Sequence, residues 1–380
     1  MFSSRTPDDL QPNRLAAAIA GARAAGVALV DATVSNPTAV GLDYPFAAID
    51  EAFGGAGGGV YAPDPRGLPS ARAAVAGRFA QRGATVATDD VFLTASTSEA
   101  YALLLTLLCD PGDEVLVGAP GYPLFEHLVT QQAAVVRHYA VSAGAAAIAA
   151  AITARTRVVI VVSPNNPTGH VRSRRALDEL ANMCAARGVA LICDEVFCDY
   201  SYPSDAVPSA AACTTGLVFV LDGLSKSCAM PQLKLAWLAC AGEPALRQRA
   251  AERLELIADS RLSVSAHVQR ALPALFDLGV PVRAQIRDRL VQNRALIARA
   301  LTSVRGARLL DAVAGWYGVI ELPAGHTDEG TCLDLVDRHG VVVQPGYFYD
   351  YPRDDVVVVS LLVPQAQLRP GIAALVELLR

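Results

Sequence analysis

The stretch RVVIVVSPNNPTGHVRSRRALDELANMCAARGVALICDE, residues 157–195, decides the fold. It opens on the run RVVIVVS (157–163) and closes on VALICDE (189–195), both apolar nearly throughout. Strands wetted on one face alternate; unbroken apolar runs suit parallel strands buried on both faces. Between them lie a Pro/Asn/Gly loop and the helical pattern SRRALDELANMCAARG (173–188), which ends on Arg-Gly, a helix stop. The same rhythm recurs outward in VFLTA (91–95), EVLVGA (114–119), LVFVLD (217–222) and AWLACA (236–241), with SEAYALLLTLLC (98–109) as a further helix. It predicts an α/β fold, a mainly parallel sheet flanked by helices.

After about residue 245 the rhythm changes. A helical region beginning EPALRQRAAERLELIADS runs to about 304, followed by short strands ARLLDA, WYGVIEL, VVVQP and VVVVSLLV and a last helix at 368–380. This predicts a smaller α+β domain. At roughly 150 residues per domain, 380 residues suit such a pair. The expected division is a large domain at 45–250, with residues 1–44 and 251–380 forming the small one.

Composition excludes several classes. The chain is 52% hydrophobic and 18% charged, with a net charge of −5, so nothing favours nucleic acid or an anionic membrane as partner. The N-terminus MFSSRTPDDLQPNRLAAAIAG has no signal-type apolar core, and no run approaches the ~20 apolar residues of a membrane span. The eight cysteines form no C-x-x-C pair or zinc-type spacing, and the six histidines are scattered, so no metal site is expected. Cysteines used as small buried hydrophobes imply a reducing cytoplasm. The patch GGAGGG (54–59) neither follows a strand nor opens a helix, and reads as a flexible loop rather than a dinucleotide site.

Among 32 basic residues only Lys226 and Lys234 are lysine. Lysine can lose its proton and attack a carbonyl; arginine cannot. Five segments end apolar runs, where ligands of parallel α/β sheets bind. Ser96, Thr97 and Ser98 open a helix and form either a phosphate cradle or an ordinary N-cap. Tyr122, in Pro120-Gly-Tyr-Pro123, is an aromatic that could stack on a planar ring. Ser163-Pro-Asn-Asn-Pro-Thr-Gly169 is a rigid turn able to aim one asparagine amide. Asp194 and Glu195 end a buried strand, and a buried carboxylate needs a partner, either a protonated ring nitrogen or an arginine. Lys226 follows Gly223-Leu-Ser225 at a strand end, placed to form an imine, with Lys234 eight residues on.

Together these are the parts needed to hold pyridoxal 5′-phosphate. From about Asn36 to the C-terminus the chain resembles the fold type I pyridoxal-phosphate enzymes, specifically the class I/II aminotransferases. The resemblance rests on Tyr61-Ala-Pro-Asp-Pro-Arg-Gly-Leu-Pro, Asp110-Pro-Gly-Asp-Glu-Val, Asn-Asn-Pro-Thr-Gly, Asp-Glu-Val and the Ser-Lys motif. It implies an aminotransferase in which Lys226 forms the internal aldimine and shuttles the proton. Asp194 would pair with the pyridine nitrogen, Asn166 would bond the ring 3-oxygen, and Tyr122 would stack on the ring. Ser96, Thr97 and Ser98 would surround the phosphate with Lys234 as positive charge. Tyr61 would reach the phosphate of the other subunit, implying a homodimer with shared sites that serves an amino donor and a keto acid acceptor.

Three positions depart from the family pattern. Lys234 stands where most members have arginine, and Phe197 where many have a tyrosine. Val358, within Val356-Val-Val-Val-Ser360, stands where an Arg-x-Ser arginine grips the substrate carboxylate. Arg66 is a candidate replacement, or else a solvated loop charge. Trp316, Tyr317 and the Tyr347-Phe348-Tyr349 cluster either line the pocket or pack the small domain. The missing arginine leaves open a second reading: elimination, replacement, cyclisation or oxidation with the same cofactor.

Overall fold

The computed structural model describes residues 2–54, 60–202 and 206–380. Gly54 ends the helix Phe46–Gly54, and the rest of the expected glycine-rich loop lies outside the described residues. Strands are numbered along the chain. After a short β1 (Val30–Asp31) come β2 (Val91–Thr94), β3 (Glu114–Ala119), β4 (Val135–Ala140), β5 (Thr156–Val162), β6 (Ala190–Asp194), β7 (Leu217–Gly223) and β8 (Ala236–Gly242). β2 to β8 form a seven-stranded sheet in the order β2-β8-β7-β6-β5-β3-β4. β3 to β7 pair in parallel, and β8 lies antiparallel between β7 and β2.

The unbroken apolar runs are buried on both faces, as their pattern predicts. Val159, Val161, Leu191, Cys193, Val218 and Val220 pack on one side with Leu177, Leu180 and Cys184 of the helix Arg174–Arg187 and Val75 and Phe79 of the helix Pro69–Gln81. Their sequence neighbours Val158, Ile160, Ile192, Phe219 and Leu221 face the other way, onto Tyr101, Leu104 and Leu254. Helix Arg174–Arg187 starts where Ser173 accepts a bond from the Ala176 N–H (3.2 Å). It stops at Gly188, whose φ of 66° is the left-handed conformation that glycine adopts without a Cβ penalty.

The second assembly contains β9 (Arg308–Leu309), β10 (Tyr317–Glu321), β11 (Val341–Val342), β12 (Gln344–Pro345) and β13 (Val356–Ser360). β12-β13-β10-β9 form an antiparallel sheet, and β11 pairs in parallel with β1, tying the N-terminal segment to the C-terminal part. The helix Pro244–Asp259 puts Ala250, Ala251, Leu254 and Ala258 into the large core. The following helix, Ala266–Leu301, buries Val268, Leu272 and Leu275 there too, then Val282, Ile286 and Leu290 in the small core. Large-core packing therefore continues past residue 250, into the middle of this helix, where Pro281 interrupts its hydrogen bonding.

Strand direction sets the site. β2, β3, β5, β6 and β7 all end at one edge, and β8 begins there. Ala236 lies opposite both Thr94 and Gly223, and Asp194 opposite Val162 and Leu221.

Candidate active site

Lys226 sits in a single helical turn, Leu224–Ser227, directly after β7. A Cβ on Gly223 would lie 2.7 Å from the Ala236 Cβ, so only glycine lets β7 approach β8 this closely before the turn. The Leu224 N–H donates to the Leu235 carbonyl (3.0 Å), and the Tyr200 hydroxyl donates to the Lys226 carbonyl (2.6 Å). Both bonds hold the lysine backbone. Its Nζ lies 4.9 Å from the Trp316 ring centroid and 5.8 Å from that of Phe197. Burial lowers the Lys226 amine to about 8, partly opposed by the charge of Asp194. A fraction of the amine is therefore neutral and nucleophilic near neutral pH.

The adjacent acids Asp194 and Glu195 point to opposite sides of the sheet. Glu195 takes the arginine partner, with Arg82 Nη2 at 2.7 Å from Oε2, while Oε1 accepts from the Ala210 N–H (2.7 Å). Asp194 has no ion-pair partner among the described residues. Its Oδ2 accepts from the Tyr101 hydroxyl (2.9 Å) and Oδ1 from the Val196 N–H (3.1 Å). Burial raises its carboxyl to about 6, and these two donors hold it down from rising further. Of the two partners considered for these acids, the arginine falls to Glu195.

At the β2 end, Ser96 caps the helix Thr97–Leu108, its side chain accepting from the Glu99 N–H (3.1 Å), while Glu99 accepts from the Ala95 N–H (2.7 Å). The Ser96 side chain thus makes an N-cap. The first-turn N–H groups, near Thr97 and Ser98, have the helix dipole behind them, which favours an anion at this terminus. Lys234 is exposed, follows the turn Pro231–Leu233, and meets no carboxylate among the described residues. Its φ of 51° is left-handed, a strain of about 1 kcal/mol for a lysine. Beside Thr94 and Glu99 opens a cavity of about 540 Å³, also lined by Tyr61, Ser263 and His267; Tyr61 is 82% exposed.

In the loop after β5, Asn165 is committed to the turn. Its Oδ1 accepts from the Thr168 hydroxyl (2.7 Å), and its N–H donates to the His170 carbonyl (2.8 Å). Asn166 is buried, and its Oδ1 has no partner among the described residues. After β3, Tyr122 packs edge-on against Phe125 at 5.6 Å; burial and nearby Asp194 raise its hydroxyl.

The structure does not bring Arg66 to Lys226. Arg66 Nε and Nη2 donate to Glu255 Oε2 (2.9 and 2.6 Å), Nη1 to the Asp89 carbonyl, and the guanidinium lies over the Phe92 ring at 5.3 Å. Those partners tie it to the helix Pro244–Asp259 and consume its fork, so it is neither a solvated loop charge nor a substrate clamp. Val358 is fully buried on β13, packed with Val319, Tyr349 and Tyr317. Trp316 is also fully buried and serves both alternatives considered for it, packing the small core and facing Lys226.

Two residues escape sequence reasoning. Tyr101 sits mid-helix in an apolar run and looks like core; only the strand register brings Asp194 to its hydroxyl. Tyr200 likewise reads as a strand-end aromatic. A helix-period count from Ser98 places Tyr101 one turn below the cradle, on the sheet side, which was the available signal.

The group expected here fits the residues present. Among the described residues Asn166 Oδ1 and Trp316 Nε1 are buried polar atoms without partners, Asp194 is a buried acid without an ion-pair partner, and Lys226 is a lysine with a lowered amine. Comparison with known proteins agrees. The family model "Aminotransferase class I and II" matches residues 47–375. The chain is 26% identical to the glutamate-pyruvate aminotransferase of Haemophilus influenzae, covering 83% of this chain and 82% of that protein. It is 30% identical to the arginine-pyruvate transaminase of Pseudomonas aeruginosa, covering 79% and 77%. The solved alanine aminotransferase of Pyrococcus furiosus superposes with a TM-score of 0.89 at 23% identity, covering 100% and 99% of the two chains. The chain belongs to the class I and II aminotransferase family. It is a pyridoxal-phosphate-dependent aminotransferase with the aspartate-aminotransferase-like fold.

Proposed function

We propose that Lys226 is the residue that bonds the cofactor aldehyde and then moves the proton during transamination of an amino acid or related amine. The observation that carries this is the lysine's position at the end of β7, with its amine lowered to about 8 and Asp194 nearby. Bound pyridoxal phosphate supplies an electron sink for the pair left when the amine carbon loses its proton. Asp194, kept ionised by Tyr101 and the Val196 N–H, stands as counter-charge to the ring nitrogen. Asn166 would hold the ring 3-oxygen through its amide, and Tyr122 would cover the ring. Ser96, Thr97 and Ser98 receive the phosphate at the helix N-terminus, and Lys234 adds a point charge. Lys226 Nζ would take up and return the proton at the substrate carbon.

The same reading makes the protein a homodimer. Tyr61 is 82% exposed on one wall of the 540 Å³ cavity, and a second copy seated there would cover it and receive its hydroxyl at the phosphate. Eight cysteines without a disulfide suit a reducing cytoplasm, and no helix among the described residues is long and apolar enough to cross a membrane. We place the division between the domains within the helix Ala266–Leu301, near Pro281, rather than at residue 250. The test is the absorbance of purified protein. The band of lysine-bound cofactor is expected in the wild type and absent in a folded Lys226→Ala variant; a band that persists in the variant refutes the assignment.

A further inference from the structure

We propose that Arg283 is a positioning residue for Lys226: from the helix Ala266–Leu301 it fixes the backbone of the lysine turn, and with Tyr44 it sets how well the lysine moves a proton. The inference rests on the reading of Lys226 as the cofactor lysine and adds what holds that lysine in place.

The turn closes on itself. Ala229 takes a left-handed φ of 56°, a conformation that costs an alanine and persists only where the surroundings over-determine it. It lets the Met230 N–H return to the Leu224 carbonyl (3.0 Å), while the Ala229 N–H donates to the Lys226 carbonyl (3.0 Å). Three carbonyls of this segment then accept from side chains elsewhere in the chain, each at 2.6 Å. Tyr200 donates to Lys226, Arg283 Nη1 to Ser227, and the Tyr44 hydroxyl to Ala229. Of the three, only the Arg283 bond comes from a charged donor, which makes it the strongest.

The helix that carries Arg283 is shaped to reach this turn. A Cβ on Gly279 would stand 2.8 Å from the Cys228 Cβ and Sγ and 3.0 Å from its Cα, so only glycine lets the helix lie on the lysine segment. Pro281 then interrupts the helix just before Arg283. Glycine and proline both weaken a helix interior, and both stand here where the helix meets the turn. Arg283 has no ion-pair partner among the described residues, and its Nη1 also lies 3.8 Å from the Cys228 Sγ. The turn is shared between the two cores: Cys228 and Met230 pack in the large one, Ala229 in the small one, and Tyr44 against both.

Position matters most in one step. While Nζ is bonded to the cofactor, the lysine is held at both ends. Once a substrate amine has taken its place, Nζ hangs on a flexible four-carbon stem from its backbone, with only the Trp316 and Phe197 rings beside it. A misplacement of about 1 Å can slow a positioned transfer about a hundredfold. Loosening the turn therefore slows proton transfer and spares cofactor bonding and substrate binding.

The experiment compares the wild-type holoenzyme with Arg283→Met, Arg283→Lys and Tyr44→Phe. The substrate is whichever of alanine, glutamate and arginine the wild type converts fastest, with hydrogen or deuterium on its α-carbon. Amide exchange of the peptide containing Met230 reads the turn independently of turnover. In Arg283→Met the cofactor band and the apparent substrate Kd should stay within threefold of wild type. Its saturating rate should fall at least tenfold, the deuterium isotope effect should hold or rise, and Met230 should exchange faster. Arg283→Lys, which can still donate to Ser227, should recover most of the rate. Tyr44→Phe removes no charge and should be at least threefold slow with the same pattern; it also carries the test if Arg283→Met does not fold. A rate within twofold of wild type in a folded Arg283→Met overturns the proposal, as does a loss of rate with a reduced isotope effect or an equal loss of affinity. Arg283→Lys as slow as Arg283→Met overturns the role of the Ser227 bond. A normal Tyr44→Phe beside a slow Arg283→Met puts the effect on charge instead of position and overturns it too. If the cofactor band survives Lys226→Ala, it is the Lys226 reading that falls, and this one with it.

Discussion

Replacing Asp194 with asparagine should stabilise the cofactor-free protein while weakening its hold on the cofactor. Burial raises this carboxyl from 3.8 to about 6. At 1.36 kcal/mol per pKa unit, about two units correspond to about 3 kcal/mol that the folded chain loses by holding Asp194 ionised. The sign follows from the direction of the shift. Because the folded value lies above the unfolded one, stability falls as pH climbs from about 4 to 6, and the whole cost stands above that window. Asparagine is neutral throughout. Its Oδ1 keeps the bond from the Val196 N–H, and the Tyr101 hydroxyl can turn to accept from its Nδ2. Urea unfolding of cofactor-stripped wild type and Asp194→Asn, measured from pH 4 to 8, should give equal stabilities near pH 4. By pH 7 the variant should lead by about 3 kcal/mol. Affinity for pyridoxal phosphate should move oppositely, at least tenfold weaker, since the ring nitrogen loses its counter-charge. A variant less stable than wild type at pH 8, or a gap independent of pH, would refute the reasoning.

Four further outcomes follow from the same geometry. Tyr101→Phe removes a donor to an ionised acid, so stability at pH 8 should drop by about 1–3 kcal/mol and the Asp194 limb should move to higher pH in the same unfolding series. Capture of pyridoxal phosphate by the stripped protein should quicken with pH up to about 8, where the Lys226 amine loses its proton, and level off above; stopped-flow absorbance reads this, and continued rise to pH 10 would contradict it. Arg82→Met leaves Glu195 buried without its cation and should cost about 3–5 kcal/mol by thermal melt. Gly223→Ala drives a methyl to 2.7 Å from Ala236, costing about 1–3 kcal/mol, and adding Ala236→Gly should recover part of the loss.

The large sheet was legible because its inner strands are apolar on both faces; the edge strand β4, which carries Arg137 and His138 and is largely exposed, lacks that pattern and escaped. The helix Arg174–Arg187 announced both ends, Ser173 and Gly188, in the chain itself. The residues proposed to hold the cofactor could be singled out for the same reason: Ser96, Asn166, Asp194 and Lys226 each lie at or just after the end of a run, so local punctuation marks them before any pairing is known. What escaped needed distance information. Arg66 lies five residues after Tyr61, yet its partner Glu255 is 189 residues away. The division between Asp194 and Glu195 depends on which face of the sheet carries Arg82 and which carries Tyr101. The packing boundary moved into the helix Ala266–Leu301 because a single helix serves two cores, and composition does not change where the core does.

The scarcity of lysine acquires a physical meaning from where the buried acids find their partners. Arg78 reaches both Asp199 and Asp222, and Arg82 holds Glu195, all on one side of the sheet just behind the lysine turn. A guanidinium does not release its proton at any working pH, so these acids are neutralised permanently and their strands are fixed. Asp222 sits directly before Gly223; burial and nearby Asp199 push its carboxyl up, and Arg78 opposes that rise. A lysine in place of either arginine could escape by deprotonating and leave the acids unbalanced. On the other face the requirement reverses. In the proposed roles Asp194 meets a charge that arrives with the cofactor and Lys226 sheds and regains a proton, and neither has an arginine paired to it among the described residues. Arginine therefore carries the charges that must stay constant, and the one buried lysine the charge that must change.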